Sequence, residues 1–150
     1  MSETLPAIDS FRGEYGWLSN FFTTYIDYDG FTYKNAEAAF QAQKTLDPIV
    51  RTSFTRMSGA EAKRQGRRVD LRPDWDQVKD RIMLEIVAAK FDQNRELAEK
   101  LIATGSRDIV EGNDWNDTYW GVCRGRGQNK LGRILMAVRE KLVSEKGEQQ

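Results

Sequence analysis

In a chain that carries no histidine, two carboxylates stand where chemistry could be done. Glu37 falls in "NAEAAFQAQK" (35–44), in the first turn of a helical segment, and Asp117 falls in "NDTYWG" (116–121), three residues before Trp120. A helix dipole favours the anionic form of a first-turn acid, so Glu37 suits a nucleophile, a base or a stabiliser of positive charge better than a general acid. Gln41 and Lys44 lie one and two turns further along the same face and draw a polar stripe through an alanine-rich helix. Asp117 beside an indole could hold a sugar or base by stacking while the acid handles hydroxyls or a water. Each has a plainer reading: an ordinary first-turn acid for Glu37, an Asx-turn next to a core aromatic for Asp117. Trp75 likewise reads as a core anchor or a stacking plate. Asn20, in "WLSNFF" (17–22), reads as a turn residue or as an amide that meets a base edge.

The segment "NDWNDTYWGVCRGRGQNKLG" (113–132) holds four glycines, two tryptophans and two arginines ahead of a strongly helical stretch. It fails the dinucleotide fingerprint, because Lys130 stands where the third glycine belongs. It also fails the P-loop pattern, because Arg133 and Ile134 replace the phosphate lysine and the magnesium hydroxyl. What remains is a glycine-rich entry to a helix at Asn129, offering backbone N–H groups around Gly127 together with Arg124 or Arg126. Such an entry suits a phosphate. The simpler alternative is a surface loop with glycines at its turns.

Composition narrows the chemistry. Without imidazole there is no Ser-His-Asp or Cys-His relay and no histidine-liganded zinc, so carboxylates, a phenol, a lysine or the substrate itself must move protons. Lysine plus arginine and aspartate plus glutamate balance at 23 each, which leaves no overall field to hold the chain on nucleic acid or an anionic membrane. The single Cys123 cannot form an internal disulfide. Together with the absence of a membrane-length apolar run or a signal-peptide pattern, it reads as cytoplasmic.

These groups need a scaffold. One hundred and fifty residues suit a single domain. "YIDYDGFTY" (25–33) predicts a hairpin turning at Asp29-Gly30. Helices are predicted over 35–48, capped by Asn35 and stopped by Pro48; over 58–66, with a Ser58–Glu61 capping box; and over 94–105 and 129–142. The longest is expected over 74–91, burying Trp75, Val78, Ile82, Ile86 and Ala89. The expected fold is α+β: one mostly helical domain over 11–142, four or five helices around a small antiparallel sheet. A flexible N-terminus (1–10) and a flexible polar tail (143–150) flank it.

Read together, "YGWLSNF" (15–21), "DGFTYKNAEAAFQAQK" (29–44), "LRPDWDQVKDRIM" (71–83), "KFDQN" (90–94), "LIATGSRDIVE" (101–111) and the block 116–140 resemble the NADAR, or YbiA-like, family, whose members include N-glycosidases. The resemblance runs in unbroken order through roughly residues 11–142. It implies an α+β fold, no metal and no cofactor, with Glu37, Trp75, Asp117 and Trp120 as the functional set. The implied reaction is hydrolysis of the C1′–N bond between a phosphorylated ribose and a base. Implied substrates are ribosylamino-pyrimidine phosphates of riboflavin synthesis or ADP-ribosyl-guanine in nucleic acid. Positive charge then builds at C1′ and O4′, which a carboxylate beneath the sugar stabilises.

On that pattern Glu37 and Asp117 share the catalytic work, in roles that are interchangeable at this level. Trp75 and Trp120 would hold the base, Lys44, Arg124 and Arg126 the phosphate, and Asn20, Gly127 and Asn129 would complete the binding set. The competing expectations are a non-catalytic module for ADP-ribose or a nucleotide, and a local nucleic-acid binder. Two departures stand out: Glu37-Ala38-Ala39 where the family often reads Glu-His-Tyr, and Val122-Cys123-Arg124 where it often carries an acidic or glycine-rich run. The first removes a supporting partner of the site; the second bears on specificity.

Overall fold

Asp29 and Gly30 take φ of 48° and 89°, the left-handed pair that a two-residue hairpin turn requires and that glycine meets at no steric cost. They join β1 (Ile26–Tyr28) to β2 (Phe31–Tyr33), antiparallel, with Ile26 opposite Tyr33. The computed structural model describes residues 5–148 and divides into two units, one running from Ser19 to Gln93 and the other drawn from the stretches before and after it.

In the first unit, the Asn35 side chain accepts from the Ala38 N–H at 2.7 Å and opens α1 (Ala36–Ala42). All seven of its residues are buried, because four alanines let α2, α3 and α4 close in around it. The helix ends at Gln43 rather than reaching Pro48. Proline disfavours a helical conformation in the residue before it but suits the first helical position, where no N–H is needed. Pro48 therefore starts α2 (Pro48–Phe54), capped by Asp47, whose Oδ1 accepts from the Ile49 N–H at 2.9 Å. This additional helix brings the α-helices among the described residues to six. Ser58 caps α3 (Gly59–Gly66) by accepting from the Glu61 N–H, as expected. In α4 (Trp75–Asp92), Trp75, Ile82 and Ile86 are buried as their spacing predicted, joined by Met83, Val87 and Phe91; Val78 and Ala89 are half-buried.

The second unit is drawn together by Ile8, whose backbone donates to Asp108 and accepts from Val110, both at 2.8 Å. Ile8 is only 2% exposed; residues 1–4 of the N-terminus expected to be flexible lie outside the described residues. A 3₁₀ helix spans Gly13–Leu18. Asn94 caps α5 (Arg95–Ala103), which packs on α6 (Lys130–Glu148). At 19 residues α6 is one longer than α4, which was expected to be the longest helix. It passes Leu142 because nothing after that residue breaks a helix before Gly147, and Lys141 and Glu145 face one another one turn apart. Residues 149–150 of the expected tail lie outside the described residues. A second ladder, not expected from the sequence, pairs β3 (Gly112–Asn113) in parallel with β4 (Val122–Cys123). No described helix is long and apolar enough to cross a membrane.

Among the described residues, two buried cations sit in the first unit, Arg51 and, more deeply, Lys90. Lys90 of α4 is 1% exposed, donates to the Ser19 carbonyl at 3.0 Å and lies over the rings of Phe22 and Phe91. Burial pushes its pKa down from 10.5 to about 7. Below pH 7 both the folded and unfolded chains hold the proton; between about 7 and 10.5 only the unfolded chain does. Stability is therefore expected to rise with pH across that window, by up to ~1.4 kcal/mol per pH unit from this group. Urea denaturation of the wild type and of Lys90→Met across the window measures it, and the variant is expected to lose that rise.

Candidate active site

Glu37 enters its position through the backbone. Its N–H, one of the first-turn donors that a helix leaves unpaired, gives its hydrogen to the Asn20 carbonyl at 3.0 Å. The Asn20 side chain meanwhile donates to the Met83 sulfur at 3.4 Å, so the turn at 19–22 is held to both α1 and α4. Glu37 is 9% exposed, and its Oε1 accepts from Gln41 Nε2 at 2.9 Å. Lys44 is half-buried one turn further on. Burial lowers its pKa first of all; the Glu37 charge raises it, and Arg67 and Lys79 push it down again. Lys44 thus lies within the electrostatic reach of Glu37, Arg67 and Lys79, of which Lys79 is paired with Asp76 at 3.1 Å.

Arg67 and Lys79 were not foreseen in this role. They lie on either side of an irregular stretch far along the chain, and no periodicity links them to Lys44. Trp75 packs on Phe40 of α1, ring centroids 5.1 Å apart, and is 7% exposed. Packed in this way, Trp75 steadies the helix bearing Glu37. An open cleft of about 580 Å³ also lies in this unit, lined by residues from Thr45 to Phe54, Met57, Gln65 and 68–73; Glu37, Gln41 and Lys44 are not among its lining residues.

The residues expected in the second unit form a tightly cross-bonded loop. Asp117 Oδ1 accepts from the N–H groups of both Tyr119 and Trp120, at 3.1 and 2.9 Å, which is the Asx-turn alternative. Asn113 binds the Asp117 backbone at both its N–H and its carbonyl. Trp120 is half-buried and meets Tyr119 edge to face at 4.8 Å. Arg124 is exposed and donates to Asn116 Oδ1 at 3.1 Å; Arg126 is exposed, while its backbone pairs with Cys123. Gly127 sits at φ 147°, and a Cβ there would strike the Gly121 carbonyl, so only glycine fits this approach.

The expected phosphate cradle is not formed by the backbone. The N–H groups of Gln128, Asn129, Lys130 and Leu131 donate to the carbonyls of Thr118, Gly121, Tyr119 and Trp120. Segment 118–121 has folded back over the start of α6 and taken the donors that a phosphate would have used. Asn129 is committed as well: its side-chain Oδ1 accepts from the Glu111 N–H at 2.9 Å and its Nδ2 donates to the Ile109 carbonyl at 3.0 Å.

A family model described as the NADAR domain matches residues 9–143. N-glycosidase YbiA of Escherichia coli (strain K12) is 41% identical over 97% of this chain and 93% of its own length. An N-glycosidase of Nostoc punctiforme is 35% identical over 85% of this chain and 86% of its own, and a riboflavin biosynthesis protein of Vibrio vulnificus is 38% identical over 85% of this chain and 36% of its own. The NMR structure of the E. coli protein YbiA matches with a TM-score of 0.85 at 40% identity, covering 97% of this chain and 90% of that one. A mostly helical α+β fold shared with relatives of this activity defines the class, a hydrolase acting on N-glycosyl bonds. The chain belongs to the NADAR family.

Because the Asn129 amide satisfies two backbone groups at once, Asn129→Ala is expected to cost about 1–3 kcal/mol, and alanine gains nothing from the left-handed φ of 52° that asparagine tolerates there. Urea denaturation measures the loss. An unchanged midpoint would mean that the 109–111 backbone is held by other contacts.

Proposed function

We propose that the chain hydrolyses the C1′–N bond between a phosphorylated ribose and a base, with Glu37 stabilising the oxocarbenium-like transition state. The observation that carries this reading is the buried Glu37 carboxylate, held by Gln41 at 2.9 Å and in electrostatic reach of the half-buried Lys44. An anion in that setting meets positive charge developing at C1′ and O4′, while neighbouring cations can take a phosphate. As the bond breaks, its electron pair leaves with the base nitrogen. Water supplies hydroxide to C1′ and the proton that the base keeps. Asp117 uses Oδ1 for its turn, and its second oxygen is the group that would meet a ribose hydroxyl or the water. Trp120 would bear on the base, with Arg124 and Arg126 available to a phosphate from the loop surface.

The substrate class proposed first is a ribosylamino-pyrimidine phosphate, supported by similarity to a riboflavin biosynthesis protein of Vibrio vulnificus. ADP-ribosyl-guanine in nucleic acid is the second. A reducing, cytoplasmic setting fits the unpaired Cys123. The binding-module reading draws on one observation, that Asp117 is engaged in an Asx-turn and is less available as a second catalytic carboxylate.

Glu37→Gln keeps the shape of the side chain and removes its charge. It is expected to lower base release by roughly 10²–10⁴-fold with the fold intact. Mass spectrometry of products from a ribosylamino-pyrimidine phosphate and from an ADP-ribosylated guanine oligonucleotide, side by side, measures this and separates the two substrates. Full turnover by the variant would remove Glu37 from the mechanism; tight binding without product in the wild type would favour the module.

A further inference from the structure

We infer that Gln41 is a positioning residue for Glu37 and that Gly66 is the residue that makes room for it; the inference rests on the reading that Glu37 acts in the reaction. Gln41 follows Glu37 by four residues, so the two side chains meet on one face of α1. Both are buried, Gln41 to within 6% of full cover. A carboxylate only accepts hydrogen bonds, so the bond at 2.9 Å orients the amide: its nitrogen faces Glu37 Oε1 and its oxygen turns away.

That oxygen, Gln41 Oε1, is buried and has no hydrogen-bond partner among the described residues. An unpaired buried carbonyl is unfavourable, and a methionine of similar length would fill the same space without it. An amide held at that cost is explained by what its other end does, which is to fix the Glu37 carboxylate. Pre-set charge at the reacting centre is what electrostatic catalysis requires.

Gly66 supplies an independent observation. It is the last residue of α3, which packs on α1, and its backbone is not in the left-handed region. Glycine is therefore not used there for conformational freedom. A Cβ at this position would fall on Gln41 Oε1 and come within 2.7 Å of Cδ and 3.2 Å of Cβ of the same side chain. The missing side chain of one helix is the space taken by the amide of the other. Glu37, Gln41 and Gly66 form a line from carboxylate to backbone in which the middle group has little room to turn.

The test compares Gln41→Met, Gln41→Ala, Gly66→Ala, the Gln41→Ala/Gly66→Ala double variant and Glu37→Gln, each assayed for release of base from the ribosylamino-pyrimidine phosphate and from the ADP-ribosylated guanine oligonucleotide. Gln41→Met is expected to keep or raise the melting temperature while lowering kcat by roughly tenfold or more with KM nearly unchanged, a split that lost packing would not give. Gly66→Ala is expected to lower kcat in the wild-type background and to add no further loss once Gln41 is alanine. If Gly66→Ala proves unstable, the methionine variant still decides. Wild-type kcat for Gln41→Met, with Glu37→Gln inactive, would overturn the positioning role alone. An equal loss from Gly66→Ala in both backgrounds would overturn the part given to Gly66. Full activity of Glu37→Gln would overturn the catalytic reading and this inference with it.

Discussion

The burial of α1 on every side is the constraint from which the arrangement of the first unit follows. A helix of seven residues is too short to persist on its own, and this one is held by what surrounds it. Its alanines admit α2, α3 and α4 at close range, Phe40 packs on Trp75, and Asn35 closes its start. Enclosure of that kind forces a decision on each polar side chain the helix carries. Glu37 and Gln41 bond to one another, which orients the carboxylate but leaves Gln41 Oε1 without a partner among the described residues. The site is thus a product of the packing.

The second unit shows the opposite use of polar groups. Its loop around 113–131 is dense in hydrogen-bonding residues, and those bonds close on the loop or on the segment just before it: Asp117 on two N–H groups, Asn113 on the Asp117 backbone, Asn129 on Ile109 and Glu111. The start of α6 is covered by carbonyls from 118–121. A glycine-rich helix entry therefore says only that the backbone can approach something closely. Here that something is the same chain, and Arg124 and Arg126 are among the side chains left exposed.

The short elements were legible because they are decided locally. Asp29-Gly30 turned the chain, and Asn35, Ser58 and Asn94 capped the helices they were expected to cap. Pro48 was misread because a proline after a helical run and a proline opening the next helix present the same residue; the Asp before it was the distinguishing signal. The β3–β4 ladder escaped notice because two residues on each strand, glycine and asparagine against valine and cysteine, carry no alternation to detect.

By itself the sequence determined the helix caps, the hairpin, the lack of imidazole chemistry and, through blocks in fixed order, the family. Each depends on residue type or on spacing along the chain. Only the tertiary structure decided that Trp75 packs on Phe40, that the α6 entry is covered, that Arg67 and Lys79 come within electrostatic reach of Lys44, and that Gly66 lies against the Gln41 amide. These depend on distances between residues remote in the chain, and burial and electrostatic fields are set by such distances rather than by any local pattern.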